Sequence, residues 1–564
     1  MKSIYLIVSV ILLSGSSLKA QEKVYERAYV HTDKDFYIAG EDLLLKFYVI
    51  DTDFQPSDLS KVGYVEICNT ERPHIQLKIA LEKGHGAGKI RIPTNIPSGV
   101  YELSGYTRYM RNEGENVFFK KQIAIVNAGQ LTSDTKRFEI VEQFENNQEE
   151  GYAKPVEKEP VNLLLKTNFN EYENRKEVLL RLDNIPDNTA DLVISVSRND
   201  SIVFVPEINK PAWLKQVGNI FSFSKQWIPE YEGHIITGRI IPQENEQQLL
   251  ANISFLGEDI RYIMGQLSPK KETVNFYTAG IYGKQQIVAT AVSQFYDKVQ
   301  HRIDLLSPFC ESFPESLPVL QIYSDEKQLM ERYLGVQIQG KVENDSLNNI
   351  SMTSGYCTFL PVKTYDLDEY TRFSTLSETI LEFVSRIHVT RLRGNRVISA
   401  FYDDGRQFSM RTLVLLDGIP IYNHEDILQY NPMYLKMINI YDGRYKFGNE
   451  DYECIVSFTT REGNLPFFQL GEESQLFDYD CPQLPPSLEF PDYSDAAVRN
   501  SRKPDFRHTL YWNPFVEFDK GQPLNLSFYT SDLCGEFKVR VEGITTDGKM
   551  VYGDTYFKVA PPRN

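Results

Sequence analysis

The chain has 564 residues, 41% of them hydrophobic and 24% charged, which is ordinary for globular protein and long enough for roughly three to five domains with their own cores. Its 77 acids against 60 bases leave a formal net charge of −17. That balance argues against a nucleic-acid or anionic-lipid surface, either of which needs concentrated Lys and Arg.

The first residues predict export. Lys2 is a positive start, residues 4–13 form an apolar run, and Leu18-Lys19-Ala20 gives a small-residue end, so residues 1–20 read as a signal peptide cut near Ala20–Gln21. No cysteine lies near that cut, which leaves a lipid-anchored N-terminus unsupported. No later stretch approaches the ~18 apolar residues that a membrane-crossing helix requires. The expected location is the periplasm or the outer membrane, with the cell surface left open.

Thirty-four Tyr and 33 Phe against nine Met predict β-rich packing. Short strands and turns alternate through residues 21–128, at the ~8–12-residue spacing of a β-sandwich. Two pieces, HTDKDFYIAGEDLLLKFYVID at 31–51 and GAGKIRIPTNIPSGVYELSGYTRYMRN at 86–112, resemble the MG2-type domain of alpha-2-macroglobulin-like proteins. Residues 129–160 read as a linker, since ENNQEEGYAKPVEKEP is charged and aperiodic. Three strands in residues 161–229 are similar to the domain that follows MG2 in macroglobulins. The opening GHIITGRII at 233–241 and a strand at 286–292 make residues 230–305 resemble a transthyretin-like, carboxypeptidase-regulatory module. Residues 306–355 supply connecting strands and a short helix at 325–334.

Residues 356–463 predict an α+β domain. Thr375-Leu376-Ser377-Glu378 is a capping box, with Leu376, Ile380, Phe383 and Val384 on one helix face. The run Leu413-Val414-Leu415-Leu416 stops at Asp417-Gly418-Ile419-Pro420, where Gly418 supplies backbone freedom and Pro420 fixes φ. A second strand, Met437-Ile438-Asn439-Ile440-Tyr441, ends at Asp442-Gly443. Over residues 365–463 this order resembles the plug domain of TonB-dependent outer-membrane receptors, with no barrel following. Residues 464–504 read as a Pro-rich strap, and 505–564 as a separate C-terminal β-sandwich. The expected fold class is therefore mainly β: tandem β-sandwiches, macroglobulin-like and transthyretin-like, with one α+β plug-like domain.

Motifs that carry chemistry are weaker. Gly84-His85-Gly86-Ala87-Gly88-Lys89 has its first glycine one residue too close for a phosphate loop, and Ile90 replaces the hydroxyl, so it reads as a flexible hairpin. Leu533-Cys534-Gly535-Glu536-Phe537 approaches the CGEQ thioester motif of macroglobulins, but Phe537 offers no acyl carbon. The six cysteines are widely spaced and lack metal-ligand pairing, which leaves buried thiols with one or two bridges open. The eight His contain neither HxH nor HExxH, and no GxSxG occurs. Trp213, Trp227 and the Phe221–Phe223 stretch read as packing rather than a binding loop.

The sequence thus predicts no catalytic residue, cofactor or metal. It predicts a partner-docking turn formed by Asp417, Gly418, Pro420 and His424. The set of modules resembles the MG2-plus-plug envelope proteins of Bacteroidetes, and that resemblance implies a non-enzymatic scaffold. Such a scaffold docks on an outer-membrane or periplasmic protein such as a TonB-dependent transporter or related assembly. The alternative is a macroglobulin-like protease-binding protein without a thioester.

Overall fold

The computed structural model describes residues 25–130, 138–140, 161–199, 221–241, 249–270, 272–293, 301–323, 326–343, 360–392, 394–402, 407–409, 411–447, 450–547 and 549–561. The expected signal peptide, most of the linker, Trp213 and Cys357 lie outside these residues. The fold is mainly β, built of β-sandwiches and one α+β unit.

The first unit is a sandwich. A three-stranded sheet (Glu26–Thr32, Asp42–Asp51, His85–Arg91) faces a five-stranded one (Phe36–Ile38, Phe119–Val126, Gly99–Thr107, Val62–Cys68, Pro73–Ala80). Tyr37, Phe47, Tyr64, Tyr101, Tyr106 and Phe119 fill the interior, the aromatic packing that the composition implies. Strand Glu26–Thr32 is buried along its whole length instead of alternating, because other units cover its outer face. The glycine run is not a loose hairpin. Only Gly84 turns the chain, at φ 78°, while Gly86 and Gly88 lie within a strand. A Cβ at Gly86 would meet the Ala80 carbonyl oxygen at 2.5 Å.

The second sandwich corrects the expected domain layout. Strand Thr189–Arg198 pairs antiparallel with Gly535–Thr545 on one side and Thr509–Asn513 on the other. Strand Glu177–Asp183 pairs with Leu524–Tyr529, and Val161–Asn162 lies parallel to the C-terminal strand Met550–Val559. Residues 161–199 and 509–561 are therefore one sandwich with one core, which includes Val178, Leu180, Val196, Phe537, Val541 and Phe557. The alternation that reads as two small domains belongs to two halves of one, since neither half has sheets enough to close a core alone.

The third unit packs the sheet of Gln266–Leu267, Thr273–Thr278, His234–Ile241 and Arg302–Leu305 on that of Tyr262–Met264, Leu249–Phe255 and Lys284–Ser293. Its fourth strand in the second sheet, Ser474–Asp480, comes from the region expected to be a strap. Within the expected linker, Phe138–Ile140 pairs parallel to Leu320–Ile322. The helix that follows is Glu326–Glu343, longer than the ten residues expected, and Leu329 and Val336 bury against Phe36, Ile38 and Val126 of the first unit.

The fourth unit is α+β. Its mixed sheet runs Lys363–Asp366, Leu435–Phe447, Glu450–Thr460, Thr412–Leu416 and Ile419–Pro420, with Thr412–Leu416 parallel to Glu450–Thr460. The predicted capping box is formed: Thr375 accepts from the Glu378 amide, and Glu378 from the Thr375 amide. The strand expected to stop at Gly443 continues to Phe447. Gly443, at φ 137°, sits in a register shift instead of ending the strand.

Candidate functional site

The expected docking turn is occupied from within. Asp417 is buried with φ 48°, a conformation that Asp tolerates better than most residues. Its carboxylate accepts from the Thr460 amide at 2.7 Å, the Thr460 hydroxyl at 2.6 Å and the Leu465 amide at 2.9 Å. Gly418 has φ 79°, and a Cβ there would stand 3.0 Å from the carbonyl oxygens of Phe255 and Asp259 in the third unit. The Gly257 amide donates to the Asp417 carbonyl at 3.1 Å. Pro420 is buried beside it. The turn therefore docks the fourth unit onto the third, and it is not a free surface for an external partner.

His424 does not join those residues in a ligand site. Its Nδ1 accepts from the Ile398 amide at 2.9 Å, and burial lowers its pKa to about 4, so the ring is a neutral clamp on the neighbouring strand. Glu425 beside it forms a bidentate pair with Arg396, Nε to Oε1 at 2.9 Å and Nη2 to Oε2 at 2.6 Å.

The other sequence candidates are also structural. The Cys534 sulfur lies 3.8 Å from Asn174 Oδ1, and Phe537 is fully buried in the core of the second sandwich. The Arg111 guanidinium covers the Trp227 ring at 3.8 Å, and Phe223 packs on Tyr109. The described cysteines Cys68, Cys310, Cys454, Cys481 and Cys534 are free thiols. Burial pushes those of Cys68, Cys454 and Cys481 up to about 12. Among the described residues no group of three His, Cys, Asp or Glu side chains gathers at metal-binding distance. No helix there is long and apolar enough to cross a membrane.

Two constellations escape sequence reasoning, because each joins residues from distant segments. One is a polar hub where the first unit, the third unit and the added strand meet. Tyr64 donates to Glu230 at 2.9 Å, His234 Nδ1 lies 2.9 Å from Glu230, and His234 Nε2 lies 2.6 Å from the Tyr479 hydroxyl. A carboxylate, an imidazole and a phenol in series have the form of a proton relay. Here every member is engaged by another, and Glu230 and His234 are fully buried, so the hub is a fastener.

The second is a cleft of about 580 Å³ between the first unit, helix Glu326–Glu343 and residues 487–509. Lys34, Glu41 and Arg91 line one side, Val336 and Gly340 the helix side, and Phe490, Tyr493 and His508 the third. Its charges are mostly paired: Lys89 lies 2.7 Å from Asp42, Lys34 3.4 Å from Glu41, and Arg507 forms two bonds to Asp505. His508 is the exception. It is buried, and both ring nitrogens lack a hydrogen bond, the only described side chain with two such atoms. Its Nε2 stands 3.9 Å from the Glu41 carboxylate. Burial, then Arg332, Lys34 and Arg198, hold its pKa well below the usual histidine value, so the ring is neutral.

No family model matches the chain, and no curated protein matches it. Solved structures give distant likenesses. Salmonella alpha-2-macroglobulin reacted with methylamine is 8% identical at a TM-score of 0.24, covering 95% of this chain and 40% of that one. Escherichia coli alpha-2-macroglobulin activated by porcine elastase is 10% identical at 0.24, covering 95% and 44%. The Yersinia pseudotuberculosis adhesin InvE is 10% identical at 0.14, covering 76% and 97%. The chain thus spans about two fifths of the length of those macroglobulins.

Proposed function

We propose that this chain is a non-enzymatic binding or scaffold protein of the cell envelope. In this reading it is exported to the periplasm or outer membrane and docks on an outer-membrane partner such as a TonB-dependent transporter or related assembly. One observation carries the reading. The three most exposed large apolar side chains among the described residues, Leu360, Phe467 and Leu381, all lie in or beside the fourth unit, whose residues 365–463 resemble a receptor plug in sequence. The unit is also fixed to its neighbour. Its core is continuous with Val288 of the third unit, and Tyr422 accepts from Asn252 at 3.1 Å. A unit fixed to its neighbour that still presents large apolar side chains to solvent suits a docking role better than a catalytic one.

The test is photo-crosslinking in cells from positions 381 and 467, with the partners identified by mass spectrometry. Recovery of one outer-membrane barrel protein supports the proposal. Recovery of nothing above background sinks it. Recovery of proteases in stoichiometric complexes would replace it with the macroglobulin-like capture reading.

A further inference from the structure

We propose that the cleft beside His508 binds an extended peptide segment. The cleft contains no residue of the fourth unit, so the proposal stands or falls separately from the envelope partner.

The first support is backbone. The cleft wall includes Ser487, Leu488, Glu489, Phe490 and Pro491, within a strip that runs from 484 to 493 without a turn or bend. Proline follows Phe490, which restricts it to extended conformations, and Pro485 and Pro486 do the same at the other end. Among the described residues, none of the backbone N–H or C=O groups of 487–490 makes a hydrogen bond. A segment laid alongside would find alternating donors and acceptors, the same recognition by which a peptide adds to a sheet edge. The flanking prolines stop a further strand of the chain's own sheets from extending over the strip.

The second support is His508. A neutral imidazole offers one N–H and one bare nitrogen, and here neither has a partner. The two nitrogens point away from each other, so one group of a ligand reaches at most one of them, and a peptide N–H or C=O can serve either. A sugar hydroxyl would serve as well, but a peptide also matches the row of unpaired backbone donors and acceptors along 487–490. Leu488, Phe490, Val336 and Val498 then offer apolar contacts for side chains of the bound segment, and 580 Å³ is within the range of small-ligand sites, about 300–1,000 Å³.

The test presents the full mature chain with a library of short random peptides, acetylated and amidated at their ends, and separately with a mixture of neutral oligosaccharides. Retained molecules are read by mass spectrometry. The expected result is retention of peptides enriched in apolar residues. Glu489→Pro should weaken it about tenfold, since it removes one backbone donor at an exposed position. His508→Phe should weaken it by a similar factor, and the Glu489 variant keeps the test valid if His508→Phe fails to fold. Retention of oligosaccharides alone, retention of nothing, or equal retention by both folded variants would overturn the proposal.

Discussion

At the scale of single residues, Asp417 shows how a turn signal and a structural role differ. Leu413-Val414-Leu415-Leu416 followed by Asp-Gly is readable as a strand stopped by a turn, and that much is present. The carboxylate's acceptor role is invisible in sequence, because its donors, Thr460 and Leu465, lie more than 40 residues on. Asp417→Ala removes three accepted bonds and puts a Cβ-bearing residue with no local compensation at φ 48°. The expected loss is about 3 kcal/mol, from positive-φ strain and two buried amides left without acceptors. Asp417→Asn retains one carbonyl oxygen and tolerates the left-handed region, so it should lose about 1 kcal/mol. Urea unfolding of the two variants checks the ranking; equal losses would mean that the charge both variants remove outweighs the strain and the oxygen that Asn retains.

At the scale of elements, local pattern and pairing part company. The strands around Val178, Val193, Leu526, Val539 and Val551 are each legible from alternation and turn residues. Their partners are not, since the pairing of Thr189–Arg198 with Gly535–Thr545 spans about 350 residues and leaves no local trace. The same reason hid Ser474–Asp480, whose alternating burial is that of an edge strand while Pro, Asp and Ser around it read as loop. Neither half of the second sandwich should fold alone. Expressed separately, residues 161–199 and 505–564 are each expected to lack a cooperative unfolding transition, and mixing should restore one with a near-ultraviolet signal from Tyr172, which belongs to the core that the two segments share. A cooperative transition from the C-terminal fragment by itself would restore the two-domain layout.

At the scale of the whole molecule, the units are joined by buried polar groups, so their arrangement is expected to depend on acidity. The first and second units meet through His31 and Glu542 at 2.7 Å, Lys46 with Asp191, and Asp35 between Lys121 and Arg540. Burial alone would raise the Asp35 pKa, but Lys121 and Arg540 outweigh it and hold the carboxyl well below its usual range, so this ion pair is lost only in strong acid. The hub between the first and third units responds earlier. Burial lowers the His234 pKa to about 4 despite its bond to Glu230, against about 6.5 in the unfolded chain. A lowered pKa means that the unfolded state takes up the proton first. The stabilisation is complete above pH 6.5 and lost as the pH falls toward 4, on the order of 3 kcal/mol. Glu26 and Asp33, whose pKa values burial raises, work in the opposite sense inside the first unit and help keep it folded in acid. The hub fails before the sandwich it fastens. Between pH 6.5 and 4, small-angle scattering should show expansion while far-ultraviolet dichroism retains its β signal. A His234→Gln variant, which has no proton to gain at the hub, should expand less over that range, the remainder coming from His424 and His508, which burial also holds neutral. Expansion of the variant equal to that of the natural chain would place the acid response at a different junction.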